Sequence, residues 1–116
     1  MKINILAQIL PALNTGGVER GVIEISKALI DNNFKSIVIS SGGHMEAQLR
    51  RTGGTHYKLD VNSKNPFRWY KIRKELKIIL KNENVDLLHL CSRAPAWIAF
   101  PLGKTLKIPV ITSVHM

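Results

Sequence analysis

Asn14-Thr15-Gly16-Gly17-Val18-Glu19-Arg20 separates an apolar run, residues 3–10, from a run with helical periodicity, residues 18–29. This order predicts a strand, a glycine-rich turn and the start of a helix. Paired glycines let a ligand approach the backbone closely, and a helix N-terminus offers unpaired N–H groups to an anion. The sequence therefore predicts a site for a phosphate-bearing ligand at the carboxyl end of the first strand.

The predicted elements alternate between strand and helix along the whole chain. Strands are expected at 2–9, 36–40, 55–59, 86–90 and 109–114, and helices at 17–31, 45–51, 67–81 and 94–106. Alternation of this kind is typical of a parallel sheet with helices on both faces. Right-handed crossovers then give an α/β, doubly wound, Rossmann-like sheet with strand order 3-2-1-4-5.

Polar or glycine-rich segments follow four of the predicted strands, at the sheet edge where ligands bind in such folds. Besides residues 14–17 they are residues 41–44, Ser92-Arg93 and His115. Arg93 can hold a phosphate or carboxylate through two hydrogen bonds, or it can form a surface salt bridge. His115 can transfer a proton near neutral pH, or it can be incidental to function. Both alternatives stay open on the residues alone.

Several kinds of site are not supported by the spacing of residues. The glycine turn is neither a GxGxxG fingerprint nor a Walker A motif, so nicotinamide and ATP cofactors lose support. Cys91 is the single cysteine and has no evident paired base, which disfavours a catalytic thiol. His44 and His56 lack metal-ligand spacing, so no metal site is predicted. His89 alternates with leucines and is expected to pack in the core.

Positive charge is concentrated in the predicted helix at 67–81. The chain carries a formal net charge of +9, and residues 64–81 contain one acid, Glu75. One side of this predicted helix is an apolar stripe, which consists of Trp69, Ile72, Leu76, Ile79 and Leu80. Lysines are expected on the opposite side, at Lys71, Lys74, Lys77 and Lys81.

This basic face has three readings. It can be the solvated outside of a core helix, a surface for anionic membrane lipid, or a nucleic-acid surface. Aromatic side chains are not expected among the lysines, and this argues against nucleic acid as a partner. No apolar run approaches the roughly 20 residues that span a bilayer, and the N-terminal run is interpreted as a buried strand rather than a signal peptide.

Three segments together resemble the N-terminal domain of a GT-B glycosyltransferase of the retaining glycosyltransferase family 4 type. The first is Pro11 to Gly21, which is similar to a Gly-Gly-x-Glu-Arg loop. The second is His89 to Trp97, which contains Ser-Arg-Ala-Pro-Ala-Trp. The third is Ile111-Thr112-Ser113-Val114-His115, which is similar to a Thr-x-His strand end. The Ser-Arg-Ala-Pro-Ala-Trp stretch resembles bacterial lipopolysaccharide and cell-surface members. The resemblance spans essentially the whole chain.

The resemblance implies hexosyl transfer from a nucleotide-sugar to a cell-envelope glycolipid or lipopolysaccharide-type acceptor, with retention and without metal or cofactor. It places Thr15, Gly16 and Gly17 beside the donor diphosphate, where backbone N–H groups can stabilise the leaving group. It makes His115 the catalytic residue that faces the transferred sugar. The acceptor side would be lined by Glu19, Arg20, Ser92 and Arg93.

One departure from the family pattern shapes these expectations. No segment resembles the second, nucleotide-sugar-binding domain, so residues 1–116 are expected to form a single, incomplete N-terminal domain. A truncated or split enzyme is expected, inactive unless a separately encoded C-terminal domain joins it. We expect a cytoplasmic protein, peripheral on the inner membrane face. The alternative is a non-catalytic basic remnant that binds a membrane or a partner.

Overall fold

The computed structural model describes residues 4–13, 17–61, 65–91 and 101–112. Their strands form one parallel sheet in the order β3-β2-β1-β4-β5, which confirms the predicted α/β, Rossmann-like order 3-2-1-4-5. The strands are β1 Ile5–Ile9, β2 Lys35–Ser40, β3 Thr55–Lys58, β4 Leu87–Leu90 and β5 Val110–Thr112. The helices are α1 Gly17–Asp31, α2 Glu46–Arg51 and α3 Pro66–Asn82, and residues 101–106 are also helical.

Strand β1 lies at the centre of the sheet and is buried on both faces. Ala7 pairs with Ile37 of β2 on one side and with Leu88 of β4 on the other. The predicted fourth strand began one residue early, because Asp86 has a different role. Its carboxylate accepts the backbone N–H groups of Asn4 and Ile5, at 2.9 and 3.0 Å. Asp86 thereby fixes the start of β1.

One face of the sheet carries a core made of aliphatic side chains. Helix α3 and the helical residues 101–106 cover this face. The strands contribute alternate residues, as expected where side chains point to opposite faces with a period of two. The buried residues of this core are Ala7, Ile9, Ile37, Ile39, Leu59, Val61, Ile72, Leu76, Leu80, Val85, Leu88, Leu90 and Leu102.

The opposite face packs against α1 and α2 and contains polar groups as well as apolar ones. Val38 of β2 packs there with Val22 of α1 and Leu49 of α2. The buried polar residues of the described chain are Gln8, Ser26, Ser36 and Ser40. Ser36 donates its hydroxyl proton to Ser26 Oγ at 2.7 Å, which ties β2 to α1. Buried hydroxyls need such partners because an unsatisfied polar group is costly to bury.

Helix α3 begins at a well-formed cap. Asn65 Oδ1 accepts the N–H of Phe67 at 3.0 Å, and Pro66 occupies the first turn, where its missing N–H costs nothing. Ile72, Leu76 and Leu80 are buried, which confirms the predicted apolar stripe. None of the helices in the described part of the chain is both long enough and apolar enough to cross a bilayer.

The outer face of α3 corrects one expectation. Phe67 and Tyr70 are 92% and 76% exposed, so the prediction that no aromatic side chains accompany the lysines was wrong. Each precedes a lysine by four residues, Lys71 and Lys74, and residues at this spacing are neighbours on a helix surface. The argument from missing aromatics against nucleic acid therefore no longer holds.

Candidate functional site

The structure describes only part of the predicted site. Thr15, Gly16, Ser92, Arg93 and His115 lie outside the described residues. The remaining three predicted residues, Gly17, Glu19 and Arg20, occupy the first turn of α1. This turn lies at the carboxyl end of β1, at the centre of the sheet edge, where the predicted ligand site was placed.

Gly17 is exposed at the first position of α1. A Cβ atom at this position would meet no described atom within 4 Å. Packing within the described chain therefore does not require a glycine here. The space that a side chain at Gly17 would occupy is free of described atoms. The N–H groups of the first helical turn face the N-terminal end of α1.

A cleft of about 430 Å³ opens beside this helix start. It lies between α1 and the segment that joins β2 to α2, at the same carboxyl edge of the sheet. Arg20 and Glu24 supply opposite charges from α1, while Ile23 and Met45 supply apolar surface. The lining residues are Arg20, Ile23, Glu24, His44, Met45 and Gln48.

The sequence predicted part of this cleft and missed the rest. Arg20 was predicted to be on the acceptor side, and His44 belongs to a segment that was expected at the sheet edge. Gln48 was missed because it lies inside the short helix α2, where nothing in its spacing marks it as a ligand group. Its position depends on the packing of α2 against α1, which the sequence pattern does not specify.

The segment after β2 is held against the segment that leads into the glycine turn. Leu13 donates its N–H to Gly42 O at 3.1 Å, and Met45 donates its N–H to Leu13 O at 2.9 Å. Ser41 Oγ donates to Pro11 O at 2.5 Å. The segment after β2, which borders the cleft through His44 and Met45, is therefore joined to residues 11–13 by hydrogen bonds.

Glu46 closes the loop between β2 and α2. Its Oε2 atom accepts the N–H of Gly43 at 3.1 Å. Gly42 adopts a φ of +98°, and a Cβ there would lie 2.7 Å from Glu46 Oε2. Only glycine suits this backbone and this close approach. The loop conformation thus depends on Gly42 and on the Glu46 carboxylate together.

Three side chains connect this loop to β3 in a row of Ser40, His56 and Glu46. His56 Nε2 lies 2.7 Å from Ser40 Oγ, which also accepts the N–H of Gly42 at 3.1 Å. His56 Nδ1 lies 3.1 Å from Glu46 Oε1, within ion-pair distance but without a well-aligned hydrogen bond. The His56 side chain is 1% exposed. Because Ser40 is completely buried, the row orders the loop and does not present a nucleophile to substrate.

Burial lowers the pKa of His56 below its ordinary value, and the opposing attraction of the Glu46 carboxylate is smaller. Arg50 and Lys58 also disfavour a proton on His56. The pKa of Glu46 is lowered chiefly by its hydrogen bond from Gly43. At neutral pH the row therefore consists of a neutral imidazole and a carboxylate.

These shifts predict how stability changes with pH. The folded protein binds the His56 proton more weakly than the unfolded chain, whose histidine pKa is about 6.5. The free energy of unfolding should be highest above that pH and should fall as the pH drops toward the lower pKa of the folded state. Urea unfolding at about pH 7.5 and about pH 5.5 measures the change. His56→Gln should make this loss of unfolding free energy between the two pH values smaller, and His44→Gln should not. If the His56 variant lost as much as the parent protein, the loss would not come from His56.

Cys91 and His89 are neighbours on the face of the sheet that α1 covers. Cys91 Sγ is 3.6 Å from His89 Nδ1, which in turn is 3.2 Å from Gln8 Oε1. Sequence reasoning found no paired base for Cys91, and the structure supplies one two residues away. Burial nevertheless raises the pKa of the Cys91 thiol to about 12, so the nucleophilic thiolate is disfavoured at neutral pH.

No group of three or more His, Cys, Asp or Glu side chains is arranged to hold a metal ion within the described ranges. The residues that line the cleft instead offer one guanidinium, one carboxylate, one imidazole and one amide, and helical N–H groups lie nearby. These groups suit hydrogen bonding to oxygen-rich and anionic molecules.

The described residues define a Rossmann-like α/β domain with a polar cleft at the carboxyl edge of its sheet. The chain belongs to glycosyltransferase family 4, whose family model, Glycosyltransferase Family 4, matches residues 15–116. No curated protein sequence matches the chain significantly.

Solved structures of glycosyltransferases share the fold. A glycosyltransferase from Rickettsia africae ESF-5 is 38% identical, with a TM-score of 0.86 over 97% of this chain and 30% of that one. MurG from Acinetobacter baumannii is 18% identical, with a TM-score of 0.74 over 96% of this chain and 35% of that one. UGT2 from Phytolacca americana, solved with UDP-2fluoro-glucose and pterostilbene, is 13% identical, with a TM-score of 0.65 over 98% and 31% of the two chains. The chain thus spans about a third of each structure's length.

Proposed function

We propose that this chain supplies the acceptor-side half of a retaining hexosyltransferase, which moves a sugar from a nucleotide-sugar to a cell-envelope glycolipid or lipopolysaccharide-type acceptor. Family membership supports sugar transfer as the reaction class. Since the chain spans about a third of the length of the three glycosyltransferase structures, the activity is proposed for the complete enzyme. A second domain, continuous with this sequence or encoded separately, is proposed to bind most of the donor.

The observation that carries this proposal is the cleft beside the start of α1. Arg20 is exposed and borders the cleft, so its guanidinium is available to an anionic or oxygen-rich group on the acceptor. Ile23 and Met45 line the cleft but are only 6% and 7% exposed, so they offer a small apolar contact to a sugar ring. The guanidinium, carboxylate and amide beside them suit the hydroxyl groups of a sugar better than a free small anion.

The free space at the Cβ position of Gly17 supports a donor site at the start of α1. A glycine that packing does not require leaves room for the donor diphosphate to approach the backbone. The N–H groups of the first turn would then stabilise the charge that develops on the leaving nucleotide. Thr15, Gly16 and the catalytic His115 remain proposals from the family resemblance, as do Glu19, Ser92 and Arg93 on the acceptor side.

Sugar transfer is the experiment that tests this function. The chain is expressed together with any reading frame directly downstream, and labelled nucleotide-sugars are screened with extracted envelope lipids as acceptors. Arg20→Gln should lower kcat/KM for the acceptor about tenfold or more, because a charge-assisted contact made by the guanidinium is lost.

Lys27→Gln is the control, since Lys27 is an exposed cation on the same helix, about two turns after Arg20, and does not line the cleft. It should leave kcat/KM unchanged within about twofold. If the Arg20 and Lys27 variants had equal kcat/KM, Arg20 would not contact the acceptor. No transfer to any envelope lipid, by an enzyme that hydrolyses its donor, would overturn the acceptor class.

A further inference from the structure

The outer face of α3 is basic and apolar at the same time. Phe67, Lys71, Lys74, Ile78 and Lys81 follow one another at spacings of three or four residues, so they form a continuous row along the helix. Tyr70 and Lys77 flank this row. We call these seven residues the outer row of α3. From Phe67 to Lys81 it extends about 21 Å at 1.5 Å per residue.

The apolar members of the outer row are unusually exposed. Phe67 is 92% exposed, Tyr70 76% and Ile78 51%. These three are among the five large hydrophobic residues with high exposure in the described chain, and all lie on the one helix face that points away from the sheet. The core of the helix is supplied by Ile72, Leu76 and Leu80 on the other side. Packing among the described residues therefore does not account for the outer apolar side chains.

The lysines of the outer row outnumber the acids around them, since the exposed Glu75, four residues after Lys71, is their single acidic neighbour on α3. Of the ion pairs in the described residues, none involves Lys71, Lys74, Lys77 or Lys81. The outer row contains no acid, and Glu75 is the single acid between residues 66 and 81. Arg68, off this row, is paired with Asp60 at 3.1 Å. The face is thus a block of four positive charges that is complementary to an anionic surface.

The combination of lysines with exposed apolar side chains on the outer row favours a lipid surface over a nucleic acid as the partner. Phe67 and Tyr70 could stack on bases, but Ile78 could not, and it lies between Lys74 and Lys81 in the same row. The row also offers lysines and no arginine, whereas planar bidentate contacts to nucleic-acid phosphates favour arginine. Apolar and aromatic side chains between lysines are typical of helices that lie in the interface of an anionic membrane.

We infer that α3 docks the domain on an anionic lipid bilayer, with its lysines at the headgroups and Phe67, Tyr70 and Ile78 inserted among them. This deepens the proposed function, because it names the surface that would present the glycolipid acceptor. The start of α3 follows β3, so Phe67 and Tyr70 lie toward the carboxyl edge of the sheet, where the cleft opens. The lipid surface would therefore adjoin the end of the domain at which transfer is proposed.

Vesicle flotation of the full chain tests the inference without donor or acceptor, so its failure is distinct from failure of the proposed sugar transfer. Vesicles of phosphatidylcholine alone are compared with vesicles that also contain phosphatidylglycerol. We expect binding to the anionic vesicles at least tenfold stronger than to the neutral ones. Equal binding to both, or binding to neither, would overturn the inference.

Two pairs of variants separate charge from apolar insertion. Lys71→Gln/Lys74→Gln should weaken binding to anionic vesicles about 10- to 30-fold, since each lysine near such a surface contributes about fivefold. Lys27→Gln/Arg51→Gln removes the same charge from exposed positions on α1 and α2 and should change binding less than threefold or so. An equal effect of the two pairs would show that net charge, and not α3, is responsible.

Phe67→Ser/Tyr70→Ser tests insertion, because it leaves every lysine in place. It should weaken binding about tenfold or more, and the remaining binding should be lost more steeply as salt is raised. Unchanged binding would overturn the insertion. Single-stranded DNA is the competing ligand in the same assay: DNA binding that exceeds vesicle binding and is lost in the lysine variant would assign the face to nucleic acid instead.

A fluorophore on an introduced cysteine reports independently whether the outer face of α3 enters the bilayer. Tyr70→Cys can be labelled selectively, since burial raises the pKa of Cys91 to about 12 and disfavours its reactive thiolate form. An environment-sensitive dye at position 70 should shift to the blue on anionic vesicles, and the same dye at Glu24→Cys on α1 should not. A shift at both positions, or at neither, would contradict docking through α3.

Discussion

Leu76→Ala should lower the free energy of unfolding by about 2–5 kcal/mol, the largest loss expected of any single substitution considered for this chain. Leu76 is completely buried and lies in the middle of α3, within the aliphatic core. Removing three carbons costs their transfer free energy and leaves a cavity between α3 and the sheet. Since domains of this size are stable by about 5–15 kcal/mol, the loss is a large fraction of the total.

Urea unfolding followed by circular dichroism measures this loss, with Ile78→Ala as the matched control. Ile78 lies two residues further along the same helix and is 51% exposed. Its truncation should cost less than about 1 kcal/mol, because most of its apolar surface already contacts water. Equal losses in the two variants would show that α3 is not packed on the sheet as described.

Gln8→Leu should lower the free energy of unfolding by about 1–3 kcal/mol, although leucine has nearly the same size and is more apolar. Gln8 is completely buried on the central strand. Its Nε2 donates to Val22 O of α1 at 3.2 Å, and its Oε1 lies 3.2 Å from His89 Nδ1 of β4. Leucine would remove both contacts and would leave polar atoms of α1 and β4 facing an apolar side chain.

The control for Gln8 is the same substitution at an exposed glutamine. Gln48→Leu on α2 should change the free energy of unfolding by no more than about 0.5 kcal/mol, since Gln48 is in contact with solvent. If Gln8→Leu were neutral or stabilising, the hydrogen bonds of Gln8 would not hold α1 against β4. Gln8 would then be replaceable by any side chain of similar volume.

The order of elements and the topology could be predicted because alternation and apolar runs are strong patterns. Helix α1 begins at Gly17 and ends at Asp31, as its periodicity indicated. Boundaries were weaker where a tertiary contact decides them, as at Asp86, whose carboxylate caps the start of β1 across the sheet. No local pattern marks such a residue, because its partner lies about 80 positions away.

The candidate site was predictable where loops follow strands, and not where it depends on register or helix packing. Residues 41–44 were expected at the sheet edge for that reason, whereas Arg20 was expected on the acceptor side from the family resemblance. The contact between Ser40 and His56 depends on the pairing of β2 with β3, in which Val38 is opposite His56. The exposed aromatics of α3 are different, since the spacing from Phe67 to Lys71 was visible in the sequence. The apolar stripe on the opposite side of α3 does not indicate these outer aromatics.

The two sides of the sheet should differ in how freely their sequences can change. The buried side chains under α3 are all aliphatic, so exchanges among leucine, isoleucine and valine that keep the total volume should be tolerated there. The side under α1 and α2 contains Gln8, Ser36 and Ser40, each with a specific polar partner. Substitution on that side must preserve a donor or an acceptor as well as a volume. Random mutagenesis with selection for folded protein should therefore recover many variants from the first side and few from the second.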